Sequence, residues 1–289
     1  MADGSQVRVQ ELGRLMEAMR PRLHRYCARM IGSAVDGEDV VQDALAKAAA
    51  ADLGEIEHPE RWLFRIAHNT ALDALRRRRR RDGHDAELDL EGLGDPRAAA
   101  DVRVAAAETL RVFLGLSPVQ RSVVILVDVL GHSIAETVEI LQITVASGKA
   151  ALQRGRQQLR GWMDAPRETP ALPPAEVIRL RAYADRFNAR DFDSLRALLA
   201  EDVRLDLAAR LRLEGATSVA VYFTRYDENP NWRATLCLAE GRPALLISDS
   251  ELGDYVVLLA WRGERIAAIR DFRYARYAME EMAVIADVP

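Results

Sequence analysis

The chain has 289 residues, 49% of them hydrophobic and 29% charged, and its 40 Lys and Arg against 44 Asp and Glu leave a formal net charge of -4 at pH 7. That length exceeds one core of ordinary size, so two or three compact units are expected, and no apolar run approaches the ~20 residues a membrane helix needs. The start lacks a basic segment followed by an apolar stretch, and Cys27 and Cys237 are too few for a disulfide framework or zinc knuckle. A cytoplasmic protein with no metal and no cofactor is expected.

Positive charge is nevertheless concentrated in two places. Arg76 to Arg81 form an unbroken run, and Ile143 to Met163 holds Lys149, Arg154, Arg156 and Arg160 without one acidic residue. Such clustering suits a protein that meets phosphates.

In chain order, Arg8 to Ile31 reads as a helix interrupted or kinked near Pro21. A second helix is expected after Asp36 as N-cap, through Val40, Val41, Leu45 and Ala48. A third opens at Pro59 and continues through Trp62, Ile66 and Leu72 into the arginines. Residues 82–101, rich in Gly, Asp and Glu and broken by Pro96, read as an acidic linker.

Helices resume near Val102, and Ser117-Pro118-Val119-Gln120 and Ser133-Ile134-Ala135-Glu136 both have the form of a capping box. Gly131 ends the helix between them, and Thr144 caps the next. Three short helices with tight turns, the last one basic, make a helix-turn-helix whose final helix would enter the major groove. Val145, Leu152 and Leu159 would then face the domain and Lys149, Gln153, Arg156 and Arg160 the DNA.

A linker with Pro166, Pro170, Pro173 and Pro174 follows, and the pattern then changes. Ala175 to Phe187 and Phe192 to Leu199 read as helices. Val203 to Leu207, Ala234 to Leu238, Ala244 to Ser248, Tyr255 to Trp261 and Arg265 to Phe272 read as strands of an α+β domain with a curved antiparallel sheet.

The stretch from Pro59 to Arg76 combines arginines with an aromatic and an amide at helical spacing, the parts needed to hold melted DNA. A plainer account makes Trp62, Phe64 and Ile66 core and the arginines a solvated helix end.

The order of these pieces resembles the extracytoplasmic-function sigma factors of bacterial RNA polymerase. Asp36-Gly37-Glu38-Asp39-Val40-Val41-Gln42-Asp43-Ala44 resembles their polymerase-binding region, Trp62 to Arg81 their promoter-melting region, and Leu116-Ser117-Pro118-Val119-Gln120-Arg121, with Gly131 and Lys149, their fourth region. The C-terminal part resembles the SnoaL-like cone-shaped α+β fold through Ala182 to Phe192, Leu198 to Val203 and Glu240 to Leu245.

The resemblance implies a multidomain chain: a region 2 domain at 1–85, an acidic linker at 86–104, a region 4 helix-turn-helix domain at 105–163, a Pro-rich linker at 164–174 and a SnoaL-like domain at 175–289. The first two domains would be all-α. It also implies contact of Asp36, Glu38, Asp39, Val40, Gln42 and Asp43 with core RNA polymerase, whose large-subunit clamp helices and flap would be the partners. Arg61, Trp62, Arg65, Asn69, Asp73, Arg76 and Arg77 would lie at the minus-ten DNA. Ser147, Lys149, Ala150, Gln153, Arg154 and Arg156 would lie at the minus-thirty-five element. The linker would thread toward the RNA exit channel, and the C-terminal domain would contact the sigma domains and modulate them.

Departures from the family pattern are Gln142 where glycine is usual and Gly148 where valine is usual. Gly148 and Gly155 inside a helix each cost ~1 kcal/mol relative to alanine. Small side chains at Ala146, Ala150 and Ala151 leave few groups to reach bases, so weak or unusual minus-thirty-five recognition is expected. For the C-terminal part, Asp202, Asp206 and Asp271 are the acids on which any catalysis would rest, although pairing with nearby arginines is the alternative. Two other functions stay open: a small-molecule enzyme or ligand sensor tethered to DNA, and a sigma-like protein that has lost promoter activity.

Overall fold

The structure, a computed structural model, describes residues 2–51, 56–81, 110, 112–160, 174–228 and 231–286. The chain divides into two compact units, Met1–Glu168 and Thr169–Pro289. Most of the two expected linkers lies outside the described residues. No described helix is long and apolar enough to cross a membrane.

The first unit opens with α1 (Ala2–Ile31), which runs through Pro21 without a break. The expected interruption does not occur. Proline removes one backbone donor, and the following turns compensate by burying Leu23, Tyr26, Cys27 and Met30. Helix α2 (Ala34–Ala50) begins earlier than expected because Ser33, not Asp36, is its N-cap, with the Ser33 hydroxyl accepting from the Asp36 amide at 3.0 Å. Asp36 sits instead in the first turn, where a carboxylate complements the helix dipole. A Cβ on Gly37 would lie 2.7 Å from the Ala28 backbone, so this glycine lets α2 cross α1 at backbone contact.

Helix α3 (Pro59–Arg81) starts at its proline as expected. A 3₁₀ turn (Val112–Gly115) leads to α4 (Pro118–Val124), a π turn (Ile125–Val129), α5 (Ile134–Leu141) and α6 (Val145–Arg160). Both capping boxes form, and Gly131 takes a positive φ of 76° between them. The helices before and after the acidic linker share one core, in which Phe113, Leu116, Val124, Ile125, Leu126 and Ile140 join Leu23, Tyr26, Met30 and Phe64. Arg121 is buried in this core and donates to the carbonyls of Met30 at 2.5 Å, Leu114 at 2.9 Å and Leu116 at 3.0 Å.

The second unit is α+β. Helices α7 (Pro174–Asn188) and α8 (Phe192–Ala197) precede β1 (Leu199–Leu207), β2 (Leu211–Glu214) and α9 (Ala216–Glu228). Then come β3 (Trp232–Ala239), β4 (Arg242–Asp249), β5 (Tyr255–Arg262), β6 (Arg265–Asp271), α10 (Arg276–Met279) and β7 (Val284–Ala286). The strands form one sheet in the order β2-β1-β6-β5-β4-β3-β7.

The expectation of an antiparallel sheet needs one correction, since β1 and β6 pair in parallel. Tight hairpins make β3 to β6 antiparallel, whereas β1 joins β6 through no hairpin and is free to take the other sense. Register shifts in β1 and between Ala260 and Trp261 bend the sheet. Its core interlocks Phe187, Phe192, Phe223, Tyr226 and Trp232 from helices and sheet.

Candidate nucleic-acid interface

Helix α3 buries Leu63, Phe64, Ala67, Thr70, Ala71 and Leu72 on one side. Arg61, Arg65, Asn69, Asp73 and Arg77 recur at four-residue steps, so each neighbours the next in a stripe that winds partly round the helix. Trp62 packs at the margin of the core, half-buried. Within the stripe, Asn69, Asp73 and Arg77 are exposed. Asp73 accepts from Arg76 at 3.1 Å and lies 3.8 Å from the Lys47 ammonium, while Arg77 lies 3.7 Å from Asp43.

The N-terminal half of the stripe is engaged differently. Arg61 donates to Glu139 at 2.7 Å and to Glu136 at 3.4 Å, and Arg65 donates to the Glu139 backbone carbonyl at 3.3 Å. Glu136 also accepts from the Ser133 hydroxyl at 2.8 Å and its backbone N–H at 2.9 Å. Those donors, with Arg61 adding to them, pull its carboxyl down to about 2. Behind this contact the Tyr26 hydroxyl lies 2.8 Å and the Ser122 hydroxyl 3.3 Å from His68 Nδ1. Burial lowers the His68 imidazole to about 4, so the ring is neutral at pH 7.

The expected polymerase-facing residues divide. Asp36, Asp39, Gln42 and Asp43 are half-exposed, but Glu38 is fully buried and ion-paired with Arg20, and Val40 is core at 4% exposure. A helix packed on two neighbours keeps only part of its circumference at the surface, and these two fall inside.

On α6, Lys149, Gln153, Arg154 and Arg156 are exposed, and Ser147 and Ala150 are half-buried. Thr144 caps the helix, its hydroxyl accepting from the Ser147 amide at 3.1 Å. Arg156 is held in bidentate fashion by Asp128 at 2.9 and 2.5 Å. Leu152 and Leu159 pack inward as expected, but Val145 is 49% exposed rather than facing the domain.

The inward positions belong instead to Gly148, Ala151 and Gly155. A Cβ on Gly148 would stand 2.6 Å from Val138 Cγ1, and one on Gly155 would stand 2.6 Å from Val124 Cγ2. Both glycines therefore set the close approach of α6 to α5 and α4, a role that counting helix propensity misses. Ala151 is buried and presents nothing outward. Gln142, in the place of the usual glycine, adopts the left-handed conformation with φ 55° and closes α5.

Sequence reasoning passed over Glu139, Asp128 and His68, and it read Glu136 only as a helix cap. The signal for them is tertiary: Glu136 and Glu139 meet Arg61 across 75 and 78 residues, Asp128 meets Arg156 across 28, and His68 meets Tyr26 across 42, only when the chain folds back.

In the second unit Asp202 pairs with Arg262 at 2.6 Å, and Asp206 lies between Arg212 at 3.6 Å and Arg270 at 3.5 Å. Asp271 is different. It is fully buried and accepts from Tyr222 at 2.9 Å, Tyr226 at 2.8 Å and the Arg273 amide at 2.7 Å. Burial raises its carboxyl above the ordinary value, partly opposed by those donors.

The sigma-70 region 2 family profile matches residues 15–81, and the sigma-70 region 4 profile matches residues 107–159. The chain is 30% identical over 159 residues to the ECF RNA polymerase sigma factor SigW of Bacillus subtilis, half of this chain and 85% of that one. The chain belongs to the ECF sigma factors.

Within this sigma factor, α2, α3 and much of α1 are region 2, and α4, α5 and nearly all of α6 are region 4. It is also 32% identical to SigG of Mycobacterium tuberculosis over 209 residues, 62% of this chain but only 56% of SigG's length. The crystal structure of Mycobacterium tuberculosis SigJ is similar at 20% identity over 88% of this chain and 94% of that one, with a TM-score of 0.36.

Proposed function

We propose that this ECF sigma factor binds core RNA polymerase through α2, holds the melted minus-ten strand on α3 and reads the minus-thirty-five element with α6. The single observation that carries the reading is the α3 stripe, where Asn69, Asp73 and Arg77 are neighbouring exposed residues, Arg61 and Arg65 continue the stripe round the helix, and the apolar residues go to the core. Arginine supplies phosphate contact and the amide supplies contact with unpaired bases, which together suit a melted strand. On α6, Lys149, Gln153 and Arg154 would make the groove contacts, whereas Arg156 must first leave Asp128.

For the polymerase contact, the half-exposed Asp36, Asp39, Gln42 and Asp43 are the candidates. Glu38 and Val40 would act by fixing the shape of α2 from inside. The second unit would modulate initiation as a binding domain and not by turnover, since Asp202 and Asp206 are paired with arginines and Asp271 is enclosed.

Co-purification with core polymerase tests the first step. Asp39→Arg with Asp43→Arg is expected to abolish it while Arg77→Ala leaves it intact; retention by the charge-reversed protein would remove α2 from the polymerase contact. A chain truncated after Met163 tests the modulation, which fails if truncated and full chains give equal transcript from the same promoter.

A further inference from the structure

We infer that Asp73 of α3 reads a guanine of the melted strand, accepting from the two N–H groups on its unpaired Watson–Crick edge while Lys47 of α2 and Arg76 hold the neighbouring phosphates. The inference rests on α3 being the helix that meets the minus-ten DNA.

Asp73 is the member of the α3 stripe that attraction to phosphate does not explain. It is about half exposed and stands one turn after the exposed Asn69. A bare carboxylate there would repel a polyanion, but its surroundings neutralise it. Arg76 donates to Oδ1 at 3.1 Å, and the Lys47 ammonium lies 3.8 Å from Oδ2. Lys47 is in turn located by the buried Thr70, whose hydroxyl accepts from Nζ at 3.2 Å. Two helices thus place an acceptor between two cations on an open surface.

The pairs are loose. All three side chains are about half exposed, so the ion pairs contribute little and are screened by salt. Phosphates arriving on either side can take Lys47 and Arg76, which leaves both carboxylate oxygens free to accept.

A melted strand exposes base edges that a duplex hides. Guanine presents two adjacent N–H donors on that edge, which match both carboxylate oxygens at once. Cytosine and adenine present one amino group beside a ring acceptor, and thymine one N–H between two carbonyls, so in each the second oxygen meets another acceptor. If Asp73 only steadied α3 through its pair with Arg76 three residues on, no base would be favoured.

The test uses holoenzyme assembled from core RNA polymerase and the full chain, with a pool of duplexes carrying a short unpaired bubble, one strand of which is of random sequence. Bound DNA is sequenced. Wild type is expected to enrich guanine at one position of the bubble by about fivefold or more over each other base. Asp73→Asn keeps one acceptor but turns an NH2 toward the second guanine donor, so it should lose that enrichment and keep the preferences at the other positions. Lys47→Gln should weaken binding to all sequences alike and flatten its salt dependence. No guanine enrichment in wild type, enrichment retained by Asp73→Asn, preferences lost at every position together, or a base preference altered by Lys47→Gln overturns the proposal. A wild-type chain that does not join core polymerase overturns the initiation reading and this inference with it; a holoenzyme that enriches bases without regard to Asp73 overturns this inference alone.

Discussion

Gln142 and Gly148 stand one helix turn apart in meaning: the first does the work of a glycine, and the second is a glycine doing the work of a spacer. Gln142 carries a side chain through φ 55°, a conformation that disfavours any residue with a Cβ. Gln142→Gly is therefore expected to raise the stability of the first unit by about 0.5–1 kcal/mol in urea unfolding. Gly148→Ala runs the other way. Its helix propensity gain of ~1 kcal/mol meets a Cβ placed 2.6 Å from Val138 Cγ1, and overpacking of about 1–3 kcal/mol outweighs it. A lower urea midpoint for this variant is expected; a higher one would mean that Val138 yields easily. Local sequence reading named both positions as departures, but it cannot sense a neighbour across a helix crossing, and so it assigned Gly148 only a cost.

At the scale of elements, the helices were legible because their signals are local. Capping boxes at Ser117 and Ser133 and the proline opening α3 each act within one turn, and each is present in the fold. Helix α9 was missed because its Val, Tyr, Phe and Thr favour strands and only packing against the sheet makes it helical. Strands β2 and β7 were missed because they are four and three residues long and lie at the sheet edges.

The seams between elements carry titratable groups with opposite pH dependence. His68 has a folded value of about 4 against ~6.5 unfolded, so the unfolded chain binds more protons in between. Stability of the first unit should fall by up to about 3 kcal/mol as pH drops through that window, and His68→Asn should flatten the slope measured by urea unfolding. Asp271 is raised, mainly by burial, so the folded chain keeps this proton to higher pH than the unfolded one, and the stability it contributes is present at acid pH and lost as pH rises through its folded value. Asp271→Asn, whose one amide oxygen can still accept from Tyr222 and Tyr226 but whose NH2 then faces the Arg273 N–H, should lower stability and remove that decline; hydrogen exchange of the β6 amides against pH reads it.

For the whole molecule, the ordered motifs located regions 2 and 4, and the family profiles match the same stretches. What the motifs did not convey is that both sets of helices share one core with Phe113, Leu116 and Ile140 joined to Leu23 and Phe64. That joining depends on contacts distant in sequence, such as Arg121 to Met30 across 91 residues and Arg61 to Glu139 across 78, to which periodicity is blind. It also explains why Arg61 and Arg65, read as DNA-facing, are turned to α5 in the free chain. The central claim remains initiation, and multi-round transcription tests it most directly, with the full chain added to core polymerase on promoter fragments selected from genomic DNA. Discrete transcripts that depend on the chain and weaken with Arg61→Ala and Arg65→Ala are the predicted result; no transcript together with no binding to core polymerase would contradict it.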